Sequence, residues 1–288
     1  MARKMNSNPF FTLLLPAGLF GIGLLIALIV FADAAVHTAF DGMASFSGFS
    51  FSNSGVPISF YVFVFLILVM VILFMARTTQ VLRKTYRSLK PFQSRMAKDI
   101  PSAVKAFSAS KNIPVLVTED AEPIAFTYGF IYPRIMISRK LLQIIEGPEL
   151  TAILEHEYYH CVKRDPLRML ISHGICCSMF FFPVLRRLRS RYFLGKELAA
   201  DAYAVLRAGK KALAIGLFKL SEIHAATPSS ALAIPGFDDL LASRIDALVS
   251  NQVKVELISI KEWIVSTISF MLILGLLAHL LLSLSPIV

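Results

Sequence analysis

Ser59 to Ala76 reads SFYVFVFLILVMVILFMA, eighteen residues without a charge. Such a run has to be covered on all sides, by protein or by lipid. Two more runs share its character. Phe10 to Phe31 carries no charge, and Trp263 to Ser283 is apolar apart from His279 and some hydroxyls. At ~1.5 Å per residue, each is long enough to cross or nearly cross a ~30 Å hydrocarbon core. The chain is 56% hydrophobic with a mean hydropathy of +0.67, above the usual range of soluble domains. Three transmembrane helices are therefore expected, at 10–31, 59–76 and 263–283. Arg3 and Lys4 would suit a signal peptide, but the first run exceeds the usual ~7–15 residue core and no tight cleavage site follows. An uncleaved anchor is the preferred reading.

Charge sets the orientation. The 29 Lys and Arg lie at positions 3–4 or between 77 and 261. Residues 32–58 contain none and carry only Asp33 and Asp41. Basic loops resist translocation. This places 1–9 in the cytoplasm, 32–58 outside, 77–262 in the cytoplasm and 284–288 outside, in a cell inner (cytoplasmic) membrane. The formal charge of +10 is then explained by topology and by contact with anionic membrane lipid. No nucleic-acid-binding pattern stands out. Cys161, Cys176 and Cys177 imply neither disulfides nor a cysteine metal site.

Within 77–262 a basic helix runs to about residue 110, broken near Pro91 and Pro101. Three β-type runs follow, at 113–118, 124–130 and 134–138, and a small antiparallel sheet is the simplest arrangement. Gly147-Pro148-Glu149 starts a helix, because proline suits its first turn and an acid suits its dipole. It ends near Asp165-Pro166. Residues 169–185 are apolar but flanked by arginines on both sides, so they form a membrane-adjacent or re-entrant segment, or a buried helix. One or two helices cover 192–226, and a short amphipathic helix covers about 238–249.

The chemistry sits on the central helix, in His156-Glu157-Tyr158-Tyr159-His160. Four residues advance about 400°, so the two imidazoles lie within ~40° on one face. That spacing lets two ring nitrogens reach one Zn²⁺ at ~2.0–2.1 Å. Glu157 lies ~100° round from His156 and can take a proton from the attacking water. A chain of this composition reaches the pattern by chance about 0.004 times. Catalytic zinc takes three protein ligands. Lys163 and Pro166 exclude the long pattern that supplies a third histidine. Glu197 offers a carboxylate instead, and Asp201, one turn later, can accept a hydrogen bond from a ligating histidine. Asp165 is either a similar partner or an ordinary helix-end residue. Tyr203, Arg207 and His224 are candidate transition-state stabilisers by position.

Three blocks, PIAFTYGFIYPRIMISRKLL, LTAILEHEYYHCVKRDPL and ELAADAYAV, resemble the membrane metallopeptidases of the BlaR/MecR antibiotic-sensing type. The resemblance covers roughly 110–207. HtpX-type membrane proteases, which degrade damaged membrane proteins, are the nearest alternative. The resemblance implies a mainly α membrane protein with a small α+β gluzincin-like metallopeptidase domain. It implies one zinc held by His156, His160 and Glu197, with Glu157 as base. It also implies that a strand within 124–137 pairs with extended substrate. The chain stops at Val288, so β-lactam sensing by a C-terminal domain is not carried over; a separate sensor or regulator protein would supply the signal.

The resulting expectation is a zinc endopeptidase cutting a protein or peptide substrate, in regulated signalling or in membrane-protein quality control. The alternative of another class is a non-catalytic membrane scaffold or receptor with a peptidase-like fold.

Overall fold

Proline, glycine and left-handed residues set most of the element boundaries in the computed structural model, which describes residues 58–226, 237–250 and 258–284. Helix α1 (Ile58–Ser94) passes through Pro91 and stops three residues later. Pro101 precedes α2 (Ser102–Lys111), which ends at Asn112 in the left-handed conformation, φ 52°; asparagine tolerates that geometry better than most residues. Three short strands follow: β1 (Val115–Thr118), β2 (Ala125–Tyr128) and β3 (Arg134–Ser138). Ser138 then caps α3 (Arg139–Ile144) by accepting a hydrogen bond from the Leu141 amide at 3.1 Å.

Helix α4 (Gly147–Lys163) has Pro148 and Glu149 in its first turn and ends at Arg164, φ 52°. The left-handed arginine turns the chain at once into α5 (Asp165–Ser178). A turn at 179–182 leads into α6 (Pro183–Ala208). Gly209, φ 90°, separates α6 from α7 (Lys210–Ala226). Helices α8 (Phe237–Ser250) and α9 (Ile260–Leu284) complete the described chain.

The sheet corrects one expectation. Its order is β1-β3-β2, and β1 runs parallel to β3 while β2 runs antiparallel to it. The short connection after β1 passes the end of β3 instead of folding back as a hairpin. Ile124 is held there by its amide donating to Ser138 Oγ and its carbonyl accepting from the Ser138 amide. β-propensity marks strands but not their order, so the sequence favoured neighbours in chain order. Among the described residues β2 lies on an edge, paired with β3 on one side.

The chain divides into two compact units. One comprises, among the described residues, 78–173, 190–226 and 237–250. Its main core joins sheet and helices: Val115, Val117, Ile135 and Ile137 meet Val104 of α2, Leu141 of α3, and Leu150, Ile153, Leu154 and Cys161 of α4. Burying each large aliphatic side chain contributes ~1.5–3 kcal/mol. A second cluster of Ala152, Ala204, Ala212, Leu213 and Leu217 lets α4, α6 and α7 approach closely, because alanine puts only a methyl between backbones. The other unit comprises, among the described residues, 58–77, 174–189 and 258–284. In it Val184 N donates to Ser266 Oγ at 3.2 Å, Ser269 Oγ donates to the Phe181 carbonyl at 2.9 Å, and Arg187 pairs with Glu262 at 2.8 Å.

Residues 169–185 form the end of α5, the turn and the start of α6. The expected span at 10–31 lies outside the described residues. Those at 59–76 and 263–283 fall on α1 and α9. Among the described residues, no helix is long and apolar enough to cross a membrane. Both helices nonetheless expose large apolar side chains, among them Phe65, Leu68, Ile72 and Met75 on α1 and Trp263, Ile268, Met271 and Leu272 on α9.

Candidate metal centre

The inner face of α4 carries His156, Glu157 and His160, all buried. Polar groups persist in such a place only when partnered. α6 supplies most partners. Glu197 and Asp201, four apart, share the face turned toward the histidines, and both are buried. His156 Nδ1 lies 2.9 Å from Asp201 Oδ1, and His160 Nδ1 lies 2.7 Å from Asp165 Oδ2. Each imidazole therefore commits its Nδ1–H to a carboxylate, which fixes the tautomer and aims Nε2 inward. Asp165 reaches back because the turn at Arg164 sets it at the start of α5, where an acid also suits the helix dipole. Tyr192 stands 3.4 Å from its other oxygen.

The two Nε2 atoms are 3.1 Å apart. Glu197 Oε2 is 3.3 Å from the first and Glu197 Oε1 is 3.7 Å from the second. A tetrahedral site with metal–ligand bonds of ~2.0–2.1 Å has ligand atoms ~3.3–3.4 Å apart. The three separations are close to that spacing, with the two Glu197 oxygens each facing one histidine. His156, His160 and Glu197 thus form a group able to hold a metal ion. Two nitrogens and a carboxylate converging this closely also need a positive charge between them. Without a metal a proton takes that part. Burial disfavours the charged His160 imidazole, but hydrogen bonds to Asp165 and Glu197, with the Glu197 charge, outweigh it and raise the group to about 9. Burial pushes the Glu197 carboxyl up, yet Lys196 and the two histidines hold it well below the usual range.

Arg244 of α8 is the residue that motif spacing did not reveal. Its Nε and Nη2 clamp Asp201 at 2.8 and 2.6 Å, and its Nη1 lies 3.4 Å from Glu197. Burial pushes the Asp201 carboxyl up, but hydrogen bonds from Arg244 and His156 lower it overall. One signal was present: Arg244 interrupts the apolar stripe of Leu241, Ile245 and Leu248 on α8, and an arginine placed so needs a buried carboxylate. Lys196 ion-pairs with Glu197, and Thr127 of β2 bonds Glu157; neither stood out in the sequence.

Tyr203 and Arg207 are not brought to this group. Tyr203 is ~200° round α6 from Asp201, and its ring packs against Tyr158 and Tyr159 at 6.1 and 5.6 Å. Arg207 is exposed and lies over the Tyr203 ring. His224 falls on α7 with its side chain outside the described residues.

Comparison with known proteins gives the family. The Protease HtpX homolog of Thermoplasma acidophilum is 33% identical over 88 residues, covering 29% of this chain and 27% of that protein. The BlaR1 peptidase M56 family matches residues 30–248, which include α4, α6 and Arg244. With three quarters of its length matched, the chain belongs to the BlaR1 peptidase M56 family.

Proposed function

We propose that the chain is a zinc-dependent endopeptidase that cuts protein or peptide substrates. The observation that carries this is the convergence of His156, His160 and Glu197 beside Glu157. Two imidazoles and one carboxylate are the donor set of hydrolytic zinc sites and leave a coordination position open. A zinc ion held there would supply a Lewis acid for the scissile carbonyl and favour deprotonation of the attacking water. Glu157 takes the water proton and returns it to the departing amine, so its carboxylate ends the cycle as it began. Asp165 and Asp201 hold the imidazoles in the ligating tautomer, and Arg244 keeps Asp201 ionised and in place. The edge of β2 that no described strand covers suits pairing with an extended peptide, whose backbone would add a strand.

The same proposal places the chain in a membrane. Its support is the charge segregation of the sequence and the exposed apolar side chains on α1 and α9. The orientation that follows puts the N-terminus and 77–262 in the cytoplasm. The role we assign is regulated proteolysis of a cytoplasmic or membrane protein, with a separate sensor or regulator protein. A quality-control role is the second reading; it rests on the sequence blocks' resemblance to HtpX-type membrane proteases.

The test is purification in detergent, metal analysis, and cleavage of casein or of the chain itself by wild type and Glu157→Gln. Loss of cleavage with metal retained supports the reading; equal cleavage overturns it. A reporter fused near residue 220 checks topology, and a periplasmic signal would reverse the orientation.

A further inference from the structure

Glu157 is not held by the metal group. Its carboxylate Oε2 accepts a hydrogen bond from Thr127 Oγ1 at 2.8 Å, and the same hydroxyl lies 2.9 Å from the Glu157 backbone carbonyl. One hydroxyl, with a single proton to give, thus stands within hydrogen-bond reach of both the side chain and the backbone of the glutamate. The Cys161 thiol approaches that oxygen from one turn further along α4, at 3.7 Å.

The anchor itself is stiff. Thr127 is β-branched, which restricts its χ1 rotation. It sits inside β2, opposite Ile135 in the antiparallel register, and Ile135 is fully buried. A glutamate side chain otherwise turns about three bonds, and a base that must meet a water proton within ~2.6–3.2 Å loses rate when it wanders. A hydroxyl suits the task because it donates to one carboxylate oxygen before proton transfer, and keeps donating to that oxygen once the water proton sits on the other.

We propose that Thr127 is a positioning residue for Glu157: its hydroxyl fixes one carboxylate oxygen and leaves the other free for the attacking water. It also links the edge strand that suits substrate pairing to the base, so a peptide added to β2 is registered against Glu157. The proposal rests on the peptidase reading, in which Glu157 is the base.

The test compares full-length wild type, Thr127→Val, Thr127→Ser and Glu157→Gln in detergent, loaded with zinc, on one peptide substrate. Valine keeps the branched shape and removes the hydroxyl; serine keeps the hydroxyl. Thr127→Val should lower kcat roughly 10- to 100-fold, with KM within about twofold and bound zinc unchanged. Thr127→Ser should keep most of the rate. Infrared difference spectra of the metal-free proteins, with Glu157→Gln marking the Glu157 carboxylate band, give a readout apart from activity. The band should shift in Thr127→Val and stay in place in Thr127→Ser. Should the valine variant not fold, Thr127→Ala takes its place, and its band position decides.

Wild-type kcat and an unmoved band in the hydroxyl-free variant would overturn the proposal. So would a serine variant as slow as valine, which would assign the effect to the lost methyl. Equal activity in wild type and Glu157→Gln is a separate result, and it removes the peptidase reading itself.

Discussion

His160 Nδ1 stands 2.7 Å from Asp165 Oδ2 although the two residues belong to different helices, and both are buried. The contact exists because Arg164 turns the chain by a left-handed residue between α4 and α5. It orients the imidazole and raises its basicity. Asp165→Asn should therefore weaken metal binding about 10- to 100-fold without emptying the core. Competition against a coloured chelator measures this. Unchanged affinity would reduce Asp165 to an ordinary helix-start residue.

Arg244 and Asp201 form a bidentate pair, and both are buried. Removing only one partner strands a buried charge. Arg244→Met should lower stability by ~3–5 kcal/mol and weaken metal binding through His156. Arg244→Lys should be intermediate, since an ammonium cannot make the two parallel bonds. Adding Asp201→Asn to Arg244→Met should restore part of the lost stability. A double-mutant cycle by denaturant unfolding gives the coupling, and simple additivity would contradict the pairing.

What the sequence showed and what it hid follow from the range of each interaction. The start of α4 was legible because Pro148 acts on its own neighbours; its end was placed close by, but left-handed Arg164 makes it, and Asp165-Pro166 open α5 instead. His156 with His160, and Glu197 with Asp201, were legible because four residues bring side chains to one face. The boundary at Gly209 left only the choice between one helix and two. The sheet order was not legible, since β1 joins β3 across an intervening strand and no local residue encodes that choice. Thr127 and Arg244 were hidden for the same reason: they lie 30 residues from Glu157 and 43 from Asp201. Tyr203 was a candidate by position, but two residues along a helix from Asp201 its side chain points elsewhere, against Tyr158 and Tyr159.

Stability of the metal-free protein should depend on pH in a bounded window. His160 is raised from 6.5 to about 9. Its contribution is complete below 6.5 and disappears as pH rises through 9. Glu197 is depressed below 4.5. Its contribution is complete above 4.5 and fades as pH falls through the lower folded value. Metal-free protein should thus be most stable between 4.5 and 6.5 and lose melting temperature toward 9. The zinc-loaded protein should hold its melting temperature over that upper range, because metal replaces the proton, and zinc affinity should rise with pH. Differential scanning fluorimetry with and without chelator checks both, and a metal-free melting temperature that climbs from 6.5 to 9 contradicts the assignment.

Two glycines offer a paired test of the turn that holds β2 in place. Gly129 follows β2 by one residue with φ 93°, and a Cβ there would lie 2.5 Å from the Tyr132 carbonyl oxygen. Gly147, φ 54°, has open space around its missing Cβ. Alanine at 147 meets only the left-handed penalty, ~1–2 kcal/mol. Alanine at 129 adds a backbone clash that no side-chain rotation relieves, for a total of ~2–5 kcal/mol. Relief by opening the turn would move β2, and with it Thr127, two residues away. Gly129→Ala should therefore lose both melting temperature and cleavage rate, while Gly147→Ala keeps its rate. Thermal melts and peptide cleavage on the two variants measure this, and equal losses would show that backbone conformation alone, not contact with Tyr132, sets the cost.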